Sequence, residues 1–137
     1  MDELNLAKPL PVPTPATQPF WDGLNAGEVR LQRCVECETW IFYPRSHCSS
    51  CLSRRLAWHT VAGTGTLYTF TLARQPTSLH FVDEVPQKLA VVELDEGVRI
   101  TSTLVNVDEA DIKIGMKLQP VFDKASDDVT LLRFEPA

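Results

Sequence analysis

All four cysteines of the chain fall in two identical pairs, Cys34-x-x-Cys37 and Cys48-x-x-Cys51, with ten residues between them. Each pair can wrap two sulfurs around one side of a metal ion, and the connecting segment can return the second pair to the opposite side. The expected product is a tetrahedral four-thiolate site holding zinc. Iron suits the same ligands, because softness and tetrahedral geometry do not separate the two metals, and it ranks second. Four thiolates complete the coordination shell, so the metal is expected to be structural, with no open position for water or substrate. A pair of redox disulfides fits less well, since no thioredoxin-like strand–helix–strand pattern surrounds either pair. Knuckles of this kind often carry glycine after the second cysteine, whereas Glu38 and Leu52 stand there in this chain.

Other chemistry is sparse. There is no further cysteine for acyl transfer, no Gly-x-Ser-x-Gly elbow, and no phosphate-cradling glycine loop followed by Lys and Ser or Thr. His47 borders a ligand cysteine and is expected to cap the knuckle rather than coordinate, because four thiolates already fill the shell. His59 lies in a strand pattern beside Trp58 and reads as structural or surface. His80, with Asp83 or Glu84, could do acid–base work. Nothing in the sequence fixes the geometry of these three, and no nucleophile accompanies them. They sit in a long segment, Arg74 to Gln87, that also carries Leu79, Phe81, Val82 and Val85. A solvated loop has no need of those side chains, so Leu79, His80 and Phe81 are expected to contact a partner.

Charge is distributed unevenly along the 137 residues. Residues 1–29 set Lys8 against Asp2, Glu3, Asp22 and Glu28, a net of −3. Residues 30–60 set Arg30, Arg33, Arg45, Arg54 and Arg55 against Glu36 and Glu38, a net of +3, and the remainder carries −5. The basic surface is therefore local to the cysteine module. A nucleic acid wants a broad positive face, so the reading of a nucleic-acid-binding module is the alternative rather than the first choice; a small phosphorylated ligand fits a compact patch better. No apolar stretch approaches the roughly 20 residues of a membrane span. Reduced thiolates and the lack of an export-type N-terminal pattern predict a cytoplasmic protein.

The elements that must position these residues follow from pattern. Five prolines by residue 19 make residues 1–16 an extended, flexible arm. Residues 17–28 form a short helix with Phe20, Trp21 and Leu24 on its apolar stripe and Gly27 placed to stop it. About two turns of helix are marginal alone, so those three side chains must dock on their own domain or on another chain. Residues 29–60 outline a zinc ribbon, with Val29 and Leu31, then Trp40 to Tyr43, as short strands. From residue 61 to 137 five strand-like runs follow, at 66–72, 88–94, 99–105, 117–122 and 129–134, with Asp95-Glu96-Gly97 as a hairpin signal. In the first of these, strict alternation puts Tyr68, Phe70 and Leu72 on the core face. Five strands in about 75 residues match a small closed barrel of the OB type, with an open sandwich as runner-up.

An ordered set of residues carries a more specific resemblance. Phe20-Trp21-x-Gly23-Leu24-x-x-Gly27, Leu31-x-x-Cys34-x-x-Cys37, Phe42-x-Pro44-Arg45, Cys48-x-x-Cys51, Gly63-x-Gly65-x-Leu67-Tyr68-x-Phe70, Val92-Glu93-Leu94-x-Glu96-Gly97 and Ile114-Gly115-Met116 run in sequence from about residue 17 to 134. Together they resemble the proteins, once catalogued as a domain of unknown function, that join a rubredoxin-like zinc ribbon to an OB fold. The resemblance implies a mainly β protein with a short N-terminal helix. It also implies a non-catalytic partner subunit of a thiolase-fold enzyme, either a thiolase or a thiolase-like aldolase that shortens steroid side chains. Such a subunit helps hold acyl-CoA while the other chain supplies nucleophile or base. On that reading Arg45, Arg54 and Arg55 either meet the phosphates of coenzyme A as forked donors or are ordinary solvated charges. Phe42 and Tyr43 either stack on adenine or pack the ribbon against the barrel.

Overall fold

Proline is tolerated in the first turn of a helix, where its missing N–H has no partner to lose, and Pro19 lies in the first turn of α1 (Gln18–Asn25). The helix closes with both bonds of a Schellman motif: Gly27 N–H donates to Leu24 O at 3.0 Å and Glu28 N–H to Gly23 O at 2.8 Å. Gly27 takes φ 77°, the left-handed turn for which the sequence placed it. These elements belong to a computed structural model that describes residues 8–137. The first seven residues of the expected arm lie outside the described residues.

Beyond α1 come β1 (Val29–Cys34), β2 (Trp40–Ile41) and β3 (Leu56–Val61), which form a three-stranded sheet in the order β2-β1-β3. Then follow β4 (Gly65–Ala73), β5 (Gln87–Leu94), β6 (Arg99–Thr103), β7 (Lys117–Lys124) and β8 (Thr130–Pro136), ordered β6-β5-β4-β7-β8. Neighbours in the second sheet pair antiparallel. The outer strands approach each other where Leu104 makes a parallel bridge to Phe134, and Val105 N–H donates to Phe134 O at 2.9 Å. The result is the mainly β chain expected from sequence: a short helix, a ribbon and a five-stranded OB-type barrel.

Alternating inward residues fill the barrel with Leu67, Val92, Leu94, Ile100, Leu118 and Phe134, all buried. Val29 and Leu31 of the ribbon belong to the same apolar cluster, so the two modules share one core. The expectation for Tyr68 fails. A register shift between Leu67 and Thr69 breaks strict alternation in β4, and such a bulge moves the following residues to the other face. Leu67 is buried, Phe70 packs against the core, and Tyr68 is 47% exposed with the Arg99 guanidinium 3.8 Å from its ring centroid. Among the described residues no helix is long and apolar enough to cross a membrane.

Candidate functional site

The two knuckles are built alike. Glu38 N–H donates to Cys34 O and Leu52 N–H to Cys48 O, each at 3.0 Å, and the two residues turn the chain at φ 63° and 64°. The left-handed conformation that glycine usually supplies is thus adopted by residues with a Cβ. These turns aim backbone N–H groups at sulfur: Cys37 N–H reaches Cys34 Sγ at 3.5 Å, and Ser50 and Cys51 reach Cys48 Sγ at 3.3 and 3.5 Å. All four Sγ atoms lie within 4.8 Å of one another, with Cys34–Cys51 at 3.6 Å and Cys37–Cys48 at 3.5 Å. A disulfide needs about 2.05 Å. Tetrahedral zinc–thiolate bonds of 2.3 Å imply S···S separations of about 3.8 Å, so the donor set fits a four-thiolate metal site.

Crowding four ionisable sulfurs spreads their affinities for protons. The Thr39 hydroxyl, 3.1 Å from Cys37 Sγ, is the largest influence holding that thiol down to about 6. For Cys51 the Ser53 backbone bond acts downward, but desolvation and the three neighbouring sulfurs outweigh it and push the thiol up to about 12. Like charges at this spacing cannot all form without a cation among them. His47 is engaged elsewhere: Arg54 Nε donates to its Nε2 at 2.9 Å, and its Nδ1 lies 2.8 Å from Ser46 Oγ. It therefore braces the second knuckle, as the closed thiolate shell predicts.

A second feature lies where the barrel seam opens. Leu104 N–H bonds Lys88 O and Leu94 N–H bonds Val98 O, which marks the bonded pairs of β5 and β6. By alternation, the backbone groups of Arg99, Thr101 and Thr103 point away from β5 toward β8. Short of the Leu104–Phe134 bridge, Ser102 Oγ donates to Leu132 O at 2.7 Å in place of a ladder bond. Beside this seam α1 and the loop after β2 close a cavity of about 380 Å³. Phe20, Trp21, Phe42, Tyr43, Ile100 and Leu132 give it mainly apolar walls, and Thr101, Ser102, Thr103 and Arg133 supply its polar lining. That guanidinium is fixed by Asp123 at 2.7 Å and Thr103 Oγ1 at 2.6 Å.

The sequence expectations divide across these features. Cys34, Cys37, Cys48 and Cys51 come together. Phe42 and Tyr43 line the cleft, and Arg45 stands beside it, its Nε donating to Tyr43 O at 3.2 Å. Buried Gln32 pins Arg45, accepting from its N–H and donating to its carbonyl, both at 2.9 Å. Arg54 and Arg55 stand instead on the second knuckle, bonded to His47 and paired with Glu36 at 3.6 Å. Phe20, Trp21 and Leu24, which had to dock on their own domain or on another chain, are buried within this chain against Val129, Trp58 and Phe122. Leu79, His80 and Phe81 fall in a 3-10 turn, Leu79–Glu84, where Leu79 is exposed and the other two are half-buried. Sequence reasoning did not single out Ile100, Leu132 or Arg133, because strand residues at a seam alternate like those in a closed ladder.

Comparison with known proteins follows the same division. Residues 21–57 match the family profile described as "ChsH2, rubredoxin-like zinc ribbon domain", and residues 58–123 match "ChsH2, C-terminal OB-fold domain". The chain is 36% identical over 121 residues to a "Probable enoyl-CoA hydratase alpha subunit" of Thermomonospora curvata, covering 86% of this chain but 37% of that relative's length. It is 32% identical over 97 residues to a "DUF35 domain-containing scaffold protein" of Methanothermobacter thermautotrophicus, covering 70% of this chain and 72% of the relative. Among solved structures, a chain of the "Ltp2-ChsH2(DUF35) aldolase" superposes with TM-score 0.81 at 30% identity, over 93% of this chain and 98% of that one.

Proposed function

Because the chain belongs to the ChsH2-like (DUF35) family of zinc-ribbon and OB-fold proteins, we propose that it is a non-catalytic accessory subunit. It assembles with a thiolase-fold enzyme, a thiolase or thiolase-like retro-aldolase, and helps hold an acyl-CoA substrate, in steroid side-chain or other acyl-CoA degradation. The observation that carries this reading is a ligand-sized apolar cleft whose described walls hold no cysteine, histidine or carboxylate to act as thiol nucleophile or base, and whose Ser102 hydroxyl is bonded to Leu132 O. Such a recess binds and orients without reacting. The names of the relatives, a hydratase subunit and an aldolase, support a place in acyl-CoA chemistry.

In this picture the four cysteines hold zinc as a structural ion, in a compartment reducing enough to keep them thiolates. The metal fixes the two knuckles and hence the loop bearing Phe42, Tyr43 and Arg45. Phe20, Trp21, Phe42 and Leu132 exclude water from the apolar part of the ligand. Arg45 meets phosphate oxygens at the cleft mouth. Leu79 and Phe81 extend the contact to the enzyme.

The test is to purify the full chain from its native cells, identify the protein held with it, and measure acyl-CoA binding to the assembly and to this chain alone. A thiolase-fold subunit in fixed ratio, with acyl-CoA bound more tightly by the assembly, is expected. Recovery of RNA and RNA-associated proteins instead, or of the chain alone, overturns the reading.

A further inference from the structure

Leu52 combines two unfavourable features. Its φ of 64° lies in the left-handed region, where a Cβ is strained, and its side chain is 74% exposed. The knuckle turn accounts for the backbone angle but not for the leucine. Glu38 makes the equivalent turn at φ 63° and presents a carboxylate to solvent, as an ordinary surface position would. An aliphatic side chain kept at a strained, exposed position is instead what an interface anchor looks like without its partner.

A second exposed aliphatic side chain lies on the facing knuckle. Val35 is 50% exposed and directly follows Cys34, as Leu52 follows Cys51, and those two sulfurs are 3.6 Å apart. Val35 N–H donates to Arg55 O at 2.8 Å, which holds the first knuckle against the chain just past Leu52. Arg54 and Arg55 are exposed next to the pair. The Arg55–Glu36 ion pair spans 3.6 Å between two side chains more than half exposed, so it opens at little cost. This end of the ribbon lies in the segment of net +3, on a chain of net −5.

We infer that Val35 and Leu52, with Arg54 and Arg55 as rim, form a docking surface for the thiolase-fold subunit, on a face of it that offers an apolar pocket bordered by carboxylates. Apolar anchors inside a charged rim need that complement. A nucleic acid would also seek the arginines, but single strands gain affinity by stacking on aromatic rings, and neither anchor is aromatic. The inference rests on the accessory-subunit reading and adds the surface through which it works.

Glycine at either knuckle turn separates structure from docking. In Leu52→Gly and Glu38→Gly, backbone strain is relieved, so metal content stays at the native level and Tm is unchanged or higher by a few degrees. Affinity for the purified thiolase-fold subunit, measured by calorimetry, then falls at least about tenfold for Leu52→Gly alone, the loss of one buried leucine. Glu38→Gly binds as tightly as the native chain or more so, because a carboxylate leaves a surface that faces acid. Leu52→Asn, which tolerates the left-handed turn and removes the apolar contact, must weaken binding as Leu52→Gly does. Native affinity in both Leu52 variants overturns the docking surface and leaves the accessory role standing. Failure of the native chain to bind any thiolase-fold subunit removes both.

Discussion

Trp21 Nε1 donates a hydrogen bond to the Tyr43 hydroxyl across 3.1 Å, fastening the N-terminal helix to the ribbon loop that follows β2. Phe20 lies edge-on to the same loop, its ring 5.6 Å from Phe42 and 6.1 Å from Tyr43. Helix, ribbon and cleft wall are therefore one aromatic assembly. A change made for its effect on the cleft will also be felt in the attachment of the helix.

The two partners of that bond should differ sharply in cost. Tyr43→Phe keeps the ring and leaves the indole N–H without its acceptor, for a loss of about 1 kcal/mol. Trp21→Ala empties a buried site in the smaller core and should cost about 3–5 kcal/mol. Urea unfolding followed by circular dichroism measures both. Equal losses would mean that the hydrogen bond, not the packing, holds the helix.

Metal removal should propagate beyond the ribbon. Binding of a structural zinc is on the order of 10 kcal/mol or more in small modules, and the knuckles have little else in their core than Ile41, Leu56 and the buried Cys34 and Cys48. Chelation, or Cys34→Ser, is expected to melt the ribbon. Because Val29 and Leu31 also pack in the barrel cluster, the barrel should melt at a lower temperature as well. One metal per chain and a native melting curve in Cys34→Ser would refute the structural role.

Gly65 has no room for a side chain. A Cβ built there would stand 2.3 Å from the carbonyl oxygen of Glu93, backbone that cannot swing aside. Gly65→Ala must separate β4 from β5 at the Gly65–Leu94 pair, and a loss of about 3 kcal/mol is expected, at the upper end of ordinary single substitutions. Gly97, with open space around its Cβ position, is the contrast, although its φ of 95° still penalises alanine. Thermal melts of the two variants should rank Gly65→Ala as the more damaging.

Glu135 supplies a pH signature for the seam end of the barrel. The amide of Asn106, and then that of Gln119, donate to its carboxylate at 2.5 and 2.9 Å and hold its proton affinity below the usual carboxylate range. A depressed folded-state pKa stabilises the protein above the unfolded value, about 4.3 for glutamate. That contribution disappears as pH falls through the folded value. In an NMR titration Asn106→Ala should raise the Glu135 midpoint toward the ordinary range. An unmoved midpoint would mean that the amide does not act on the carboxylate.

How much was legible in the chain depended on whether the signal was local. The cysteine spacing, the Gly27 stop and the run of β-strands each rest on a few consecutive residues, and each stands where expected. Tyr68 went astray because a bulge between Leu67 and Thr69 is set by pairing with β5, a partner some twenty residues away. Phe20, Trp21 and Leu24 had a readable stripe, but only tertiary contact with Val129 decides that the stripe is used internally. The cleft was invisible for the same reason. Its walls come from α1, the ribbon loop, β6 and β8, and no short window contains more than one of them.

Arg45 and the pair Arg54 and Arg55 looked equivalent in sequence and are not equivalent in place. Gln32 clamps the backbone of Arg45 from both sides, and Arg45 Nε donates to the carbonyl of Tyr43, whose ring walls the cleft. Arg54 and Arg55 are bonded to His47 and Glu36 on the knuckle. Losing one exposed charge-assisted contact to phosphate is worth about 1 kcal/mol or more. Arg45→Ala should therefore weaken acyl-CoA binding by the assembled complex about fivefold, with complex stability unchanged. Arg54→Ala combined with Arg55→Ala should do the reverse, leaving ligand affinity intact while the two subunits separate more readily as salt is raised. Calorimetry of ligand and subunit binding on both variants decides the matter. If the double variant loses acyl-CoA affinity, the phosphates reach the knuckle and the ligand runs along the ribbon rather than ending at Arg45.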